Sequence, residues 1–285
     1  MLLLTNIYRC NISSIITHQK ARFCIDAATA SSSSAFNMPL LPQSKIHDTF
    51  ERLRSNPKYV LLLDGGTGEE LFRRQVPDDR KIWSATALVH EKYHTILEDV
   101  HTDFLESGSD AITTNSYGVC PGVGFESNDI SKYNDIAGKI ARRATQKSSG
   151  AKYVLGSLGP LLESYRPDML MSHEDGVKSY MRACNSLAPH IDAFIAETMS
   201  CVEESIQVLD AVARSNDDID KSTGKQQQQR RQCSLLISYT LDPNGNFRDG
   251  EEVLNGMRRL LERAEKKREN VQCKIFSVLN SNCVY

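Results

Sequence analysis

The sequence lacks the patterns that mark several large classes of protein. None of its apolar runs approaches the ~18–20 residues needed to cross a bilayer, so we expect no membrane segment. Its formal net charge is only −2, which gives no reason to expect nucleic acid or an anionic membrane as a partner. Its eight cysteines form no C-x-x-C pair, unlike those of a secreted disulfide scaffold. A reducing compartment is therefore expected.

Acidic residues are missing from the start of the chain. None precedes Asp26, while Arg9, Lys20 and Arg22 are basic and serine is frequent. This composition favours an organellar transit peptide over residues 1–37, and a disordered extension or a true start at Met38 is the alternative. We expect residues 1–44 to be an extension and 45–285 to be one domain. The protein would be cytoplasmic, or mitochondrial or plastid if the extension is a targeting signal.

The rest of the chain is organised around residues 59–71. A continuous apolar run at 60–63 predicts a strand buried on both faces, and it ends in Asp64. Gly65 and Gly66 then form a turn, and Thr67 with Glu70 has the spacing of a capping box at a helix start. The phosphate-binding patterns G-x-x-x-x-G-K-[ST] and G-x-G-x-x-G are absent here. The sequence therefore places a carboxylate where parallel strands bind ligands, although a simple packing turn remains an alternative.

Strands and helices alternate regularly after this turn, which predicts a parallel α/β sheet. Polar residues follow the successive strands, as at the functional rim of a barrel: Asp64, Asn115, Ser157, Glu197, Thr240 and Cys283. We therefore expect a (β/α)8 TIM-type barrel of which about six of eight strands are present, with an open doubly wound sheet as the alternative. Residues 215–232 are polar and of low complexity, which indicates a surface insertion.

One short motif favours a different function. Residues 90–94 read His-Glu-Lys-Tyr-His, which matches the H-E-x-x-H zinc motif of metalloproteases. Lys92 occupies a position that is normally apolar there, and no third ligand is evident downstream. Two surface histidines are the simpler interpretation.

Several ordered motifs over about residues 58–283 resemble the homocysteine S-methyltransferase family. The matching segments are Leu-Asp-Gly-Gly-Thr-Gly at 63–68, Trp-Ser-Ala at 83–85, Thr-Thr-Asn-Ser-Tyr at 113–117, Gly-Ser-Leu-Gly-Pro at 156–160, Ala-Glu-Thr at 196–198, Ser-Tyr-Thr-Leu at 238–241 and Asn-Cys at 282–283. The resemblance implies transfer of a methyl group to the sulfur of homocysteine, with Zn²⁺ activating the thiol. A small-molecule methyl donor is the second substrate.

The resemblance also implies roles for individual residues. Glu197 would pair with the ammonium of homocysteine, and Asp64 with the Gly65–Gly66 backbone would orient its amino-acid end. Asn115 and Thr240 are weaker candidates for substrate binding and could be ordinary strand-end hydrogen bonders. Glu197 could instead cap the next helix or bind Arg166. Cys283 is the candidate zinc ligand, or else a thiol without a role.

The sequence departs from the family pattern at its end. Members of the family continue past Asn-Cys to a Gly-Gly-Cys-Cys-Gly-Thr segment that completes the zinc site, whereas this sequence stops at Tyr285. The expectation is a truncated chain that is inactive alone, or a non-catalytic homocysteine-binding remnant. The donor is not readable, although the motifs at 83–85 and 238–241 favour a sulfonium donor such as S-methylmethionine or S-adenosylmethionine.

Overall fold

A computed structural model describes residues 44–56, 58–149, 152–222, 234–267 and 275–280. It contains eight α-helices and five strands within these residues. The helices are α1 (Ser44–Ser55), α2 (Thr67–Arg73), α3 (Thr86–Val89), α4 (His94–Glu106), α5 (Ser127–Lys147), α6 (His173–Leu187), α7 (Val202–Ser222) and α8 (Val253–Lys266). The strands are β1 (Ala111–Thr113), β2 (Tyr153–Leu158), β3 (Ala193–Met199), β4 (Ser234–Thr240) and β5 (Ile275–Asn280). No described helix is long and apolar enough to cross a membrane.

All five strands are parallel, and their order in the sheet follows their order in the chain. The predicted α/β class is therefore confirmed. A doubly wound sheet reverses its strand order at a switch point, whereas a barrel wall adds each strand beside the previous one. The sequential order β1-β2-β3-β4-β5 is that of a barrel wall.

The first predicted strand, at 60–63, is wrong in extent. Leu63 alone forms a parallel bridge to Ala111 of β1, supported by backbone bonds from Asp64 and Asp110. Val60 is 43% exposed rather than buried on both faces. The segment nevertheless runs beside β1, so the carboxylate of Asp64 reaches the same edge as the ends of the true strands.

The two faces of the sheet bury different sets of side chains. The outer face packs against the helices through alternating strand residues, among them Val154, Phe194, Ala196, Leu235 and Ile237. The inner face carries a second cluster, which is closed at the N-terminal ends of the strands by α1: Ile46, Phe50, Leu53, Leu61, Leu63, Ala111, Tyr153, Leu155, Ala193, Ile195 and Leu236. A hydrogen bond of 2.8 Å between Thr49 Oγ1 and Tyr153 Oη fixes α1 at this end.

Several predictions fall at the limits of the described residues. Residues 1–43, which include the predicted transit peptide, lie outside them, as do residues 223–232 of the predicted insertion. Helix α7 extends to Ser222 and so includes the first residues of the predicted insertion. Cys283 also lies outside the described residues.

Candidate functional site

The inner face of the sheet changes from apolar to polar toward the C-terminal ends of its strands. Side chains two residues apart on a strand share a face. Leu155 and Ile195 belong to the inner apolar cluster, so Ser157 and Glu197 continue the same face one step further along β2 and β3. We call this polar end of the inner face, made by Asp64, Thr113, Ser157, Glu197 and Thr240, the inner edge.

Glu197 is the central charged group of the inner edge. Its side chain is buried, with 5% of the residue exposed, and its Oε1 accepts a 2.6 Å hydrogen bond from Ser157 Oγ. Arg166, the partner weighed from the sequence, forms an ion pair with Asp168 on the surface. A buried carboxylate needs hydrogen bonds or a positive charge to be stable. Glu197 is therefore suited to hold a ligand with a positive group.

The backbone beside Glu197 is irregular. The pairing of β3 with β4 shifts register between Ala196 and Met199, and Thr198 has φ of +63°. A β-branched residue with positive φ is an outlier, and such conformations and bulges concentrate at functional sites. The bulge thus lies at the end of β3 that carries Glu197, so this strand end departs from regular geometry.

Asp64 lies at the inner edge as predicted by its position, and it is fully buried. Its Oδ2 accepts the Thr113 backbone N–H at 2.8 Å, and both of its oxygens lie 2.9 Å from Thr113 Oγ1. The predicted capping box is wrong, because the N-cap of α2 is Gly66 and no side chain caps this helix. The bonds of Asp64 to Thr113 thus attach the turn at Gly65–Gly66 to the end of β1. They hold the backbone of this turn beside the inner edge.

Asn115 is buried and follows β1, where its Nδ2 donates a 2.8 Å hydrogen bond to the carbonyl of Ser84. This bond anchors the turn that carries Trp83, which is 40% exposed and has φ of +48°. The Trp83 ring lies 6.3 Å from that of Tyr117, tilted by 36°. Asn115 therefore positions this aromatic pair, which we call the aromatic rim.

Glycine 159 brings the aromatic rim against the end of β2. A Cβ built there would lie 2.6 Å from the carbonyl oxygen of Tyr117, so only glycine permits this approach. The hydroxyl of Tyr117 also forms a 2.7 Å hydrogen bond with Ser164 Oγ, which belongs to the loop after β2. The loops after β1 and β2 are thus held together above the inner edge.

Thr240 ends β4 and is buried. Its Oγ1 donates a long hydrogen bond of 3.5 Å to the carbonyl of Met199. It therefore ties β4 to the bulged end of β3, and this contact agrees with the ordinary strand-end role weighed from the sequence.

A second set of chemically active groups lies just after β3. Glu204 Oε2 accepts a 2.6 Å hydrogen bond from the Ser200 backbone N–H, so Glu204 caps the start of α7. Burial raises the pKa of Glu204 to about 7. Burial also raises the pKa of the Cys201 thiol to about 12.

Cys201 forms the one group of three possible metal ligands found among the described residues, together with Glu203 and Asp249. This group does not fit the thiolate set that the resemblance implies for zinc. It offers one thiol and two carboxylates, and Glu203 is already paired with Arg259. Zinc prefers deprotonated sulfur ligands. The described residues therefore show no zinc site of the expected kind.

The H-E-x-x-H motif does not lie on one helix. Glu91–Tyr93 is a 3₁₀ turn and α4 begins only at His94, while His90 is extended with φ of −105° and ψ of 107°. His94 Nε2 lies 3.0 Å from the carbonyl oxygen of Leu88. The metalloprotease motif needs both histidines on one face of a helix, so this arrangement does not support a protease.

Sequence reasoning placed Glu197 and Asp64 at one rim but missed the groups that hold them. Ser157 belongs to the strand-end pattern without being a candidate ligand, and Thr113 was not singled out. Both lie two residues beyond an inner-face apolar residue, Leu155 and Ala111 respectively. This spacing is the signal that could have identified them.

Comparison with known proteins shows what the chain is similar to. Residues 61–284 match the family model described as homocysteine S-methyltransferase. Homocysteine S-methyltransferase 2 of Saccharomyces cerevisiae is 29% identical over 119 residues, which are 38% of this chain and 37% of that protein. The homocysteine S-methyltransferase of Escherichia coli is 31% identical over 112 residues, which are 35% of each chain. The matched stretches thus span little more than a third of these curated relatives.

A solved structure shares the fold. The metallated form of the homocysteine methyltransferase MmuM from Escherichia coli matches with a TM-score of 0.60 and 21% identity, covering 80% of this chain and 77% of that one. At this identity the likeness establishes the fold alone. The family model, by contrast, covers well over half of the chain. The chain therefore belongs to the homocysteine S-methyltransferase family.

Proposed function

We propose that this chain binds homocysteine at the inner edge and that the homocysteine thiol accepts a methyl group there, giving methionine. The observation that carries the proposal is the buried Glu197 carboxylate at the C-terminal end of β3, fixed by Ser157. Family membership supports the same reaction. Ligands of parallel α/β folds bind at this end of the strands.

Glu197 receives the ammonium of homocysteine in this proposal. An ammonium and a carboxylate that are both removed from water attract each other strongly, and the pair discriminates against a thiol without a positive charge. The buried Asp64 has an indirect role. Its hydrogen bonds to Thr113 hold the Gly65–Gly66 turn in place, and the backbone of this turn orients the amino-acid end of the substrate. Asn115 and Thr240 hold the neighbouring loops in place.

Zinc enters the proposed function through Cys283, which lies outside the described residues. A bound zinc ion would deprotonate the substrate thiol, which is otherwise mostly protonated at neutral pH. The neighbour MmuM has been solved in a metallated form. The group of Cys201, Glu203 and Asp249 is not proposed as this site, for the reasons given above.

The aromatic rim supports a sulfonium donor. The faces of tryptophan and tyrosine rings attract cations, and the attraction is worth about 0.5–2 kcal/mol. Trp83 is partly exposed beside Asn115, at the loop above the inner edge. S-methylmethionine and S-adenosylmethionine both carry a positive sulfur next to the methyl group that is transferred. We therefore favour these two donors.

The test is incubation of the full chain with homocysteine and one donor at a time, with methionine measured by mass spectrometry. S-methylmethionine, S-adenosylmethionine and betaine form the three arms, each with zinc and with a chelator. Methionine formed from a sulfonium donor only in the presence of zinc supports the whole proposal. No methionine in any arm contradicts the proposed reaction.

Calorimetry separates the non-catalytic alternative from the enzyme. If homocysteine binds to the same extent with and without zinc while no methionine forms, the chain is a homocysteine-binding module. If the heat of binding requires zinc, the metal and the substrate thiol share one site. Binding of neither homocysteine nor zinc contradicts the placement of the substrate at the inner edge.

The domain and its compartment are also proposals. Helix α1 closes one end of the inner face, which supports a barrel domain over 45–285. Of the proposed surface insertion at 215–232, residues 215–222 belong to α7 and Ser215 is buried, so the insertion is retained only beyond Ser222. Residues 1–44 would then be an extension, and the protein cytoplasmic, mitochondrial or plastid. Fusing residues 1–44 to a fluorescent protein tests the targeting role: import into an organelle supports it, and diffuse fluorescence contradicts it.

A further inference from the structure

Three hydroxyl-bearing residues join the ends of β1 and β2 in a closed ring of hydrogen bonds. The Ser157 backbone N–H donates to Thr114 Oγ1 at 2.9 Å, and Ser116 Oγ donates to the Ser157 carbonyl at 2.8 Å. Thr114 Oγ1 and Ser116 Oγ are 2.7 Å apart. All three residues are buried. Both sides of the Ser157 backbone are therefore held by the loop that follows β1.

The direction of each bond in the ring follows from the number of protons available. A hydroxyl has one proton to donate. The proton of Ser116 is used on the Ser157 carbonyl, so the bond between the two hydroxyls is donated by Thr114. Thr114 in turn accepts the Ser157 N–H. Each of the two hydroxyls in the ring donates one bond and accepts one, and a ring of this kind permits little rotation of the Ser157 backbone.

The Ser157 side chain then extends from this ring toward β3. Its proton goes to Glu197 Oε1 at 2.6 Å, a short bond of the kind that a carboxylate accepts. The hydroxyl cannot donate elsewhere without leaving this bond. The backbone of Glu197 lies next to a bulge with an unfavourable φ at Thr198, so regular strand geometry does not orient its carboxylate.

We infer that Ser157 is a positioning residue that orients the Glu197 carboxylate toward the ammonium of homocysteine, and so contributes to selection of an amino acid over a simple thiol. This inference rests on the proposed function. Ser157 acts through Glu197 and does not itself contact the thiol. Its contribution therefore concerns the charged end of the substrate and not the sulfur.

The test compares two ligands on the full chain by calorimetry. The first is homocysteine, and the second is 4-sulfanylbutanoic acid, the same molecule without the amino group. Ser157→Ala is expected to raise the Kd of homocysteine about tenfold, because a hydrogen bond to a charged group is lost. The Kd of 4-sulfanylbutanoic acid should stay within about twofold. A purely structural role for Ser157 would weaken both ligands alike.

Ser179→Ala is the matched control, since Ser179 is a buried serine of α6 whose hydroxyl has no partner within the described residues. It should leave both Kd values unchanged. If Ser157→Ala does not fold, Ser157→Cys takes its place, because a thiol is a weak donor of similar shape. It should shift the homocysteine Kd in the same direction, by about threefold.

The outcomes separate this inference from the proposed function. If the wild-type chain prefers homocysteine and both serine variants keep that preference, the role of Ser157 is overturned and the homocysteine site stands. If the wild-type chain shows no preference for homocysteine, the proposed function fails and the inference falls with it. A crystal structure of Ser157→Ala is an independent check, in which an unmoved Glu197 carboxylate would overturn the positioning role.

Discussion

The inner face of the sheet has two ends that differ in composition and in what they do. At the N-terminal ends of the strands, Leu61, Leu155, Ile195 and Leu236 pack under α1 and form a closed apolar cluster. At the C-terminal ends the same strands carry Thr113, Ser157, Glu197 and Thr240, which are equally buried but polar. Burial of apolar area stabilises the fold, whereas buried polar groups contribute far less even when they are hydrogen-bonded and leave polar atoms that can hold a ligand. One end therefore holds the barrel wall together, and the other is free to serve function.

The largest effect is expected from a change at the apolar end. Leu155→Ala removes a fully buried side chain and should lower the free energy of unfolding by about 3 kcal/mol, through lost burial and the cavity that remains. Urea denaturation measures this loss. Leu261→Ala, at a position 48% exposed on α8, is the control and should cost less than about 0.5 kcal/mol. Equal losses in the two variants would contradict a difference between the inner cluster and the surface.

A change at the polar end is expected to weaken ligand binding while leaving the stability of the fold almost unchanged. Glu197→Gln should raise the Kd of homocysteine about 100-fold, because the substrate ammonium loses its countercharge in a buried site. The free energy of unfolding should change by less than about 1 kcal/mol, since Ser157 can still donate to the amide oxygen. Calorimetry and urea denaturation measure the two quantities. Glu203→Gln is the control, because it removes the same charge from a residue that is 44% exposed and pairs with Arg259. It should leave the Kd unchanged.

The free energy of unfolding should depend on pH through Glu204, which lies at the start of α7 just after the inner edge. Burial raises the pKa of Glu204 to about 7 in the folded chain, above its ordinary value of 4.5. The folded state thus keeps a proton that the unfolded state loses between these values, so stability falls as the pH rises. Between pH 5 and pH 8 the loss from this group should be about 2 kcal/mol.

Glu204→Gln removes this titration and keeps an oxygen that can accept the Ser200 N–H. The variant should therefore gain stability over the wild type as the pH rises from 5 to 8, in urea denaturation at each pH. Glu203→Gln serves again as the control, with no such gain. A constant difference between Glu204→Gln and the wild type at all pH values would show that Glu204 does not carry the effect.

The smallest effect is expected for the histidine pair outside the inner face. His94→Ala removes one contact to the Leu88 carbonyl and should cost about 1 kcal/mol or less. The formation of methionine should not change, because His94 has no part in the proposed site. Loss of activity in a variant that remains folded would return the H-E-x-x-H motif to consideration.

The sequence predicted what depends on neighbours within one segment. The regular succession of strands and helices was sufficient to predict the parallel α/β sheet that the structure has. The polar residues after each strand indicated the rim, since parallel strands end at the same side of a sheet. Glu197 and Asp64 were accordingly proposed as site residues from the strand ends together with the family resemblance.

Other features depended on contacts between segments far apart in the chain. The ring of Thr114, Ser116 and Ser157 requires the register between β1 and β2, which local periodicity does not contain. The exposure of Val60 and the Gly66 N-cap without a side-chain bond likewise differ from what the local sequence pattern predicted.

The sequence thus determined the parallel α/β class and the polar residues that follow the strands, because both can be identified from short segments taken in chain order. The tertiary structure decided which polar groups meet at that end. It did so because a hydrogen bond forms between groups that are close in space, whatever their separation in the chain. Ser157 and Glu197 are forty positions apart in the chain, and their side-chain oxygens are separated by 2.6 Å in the fold.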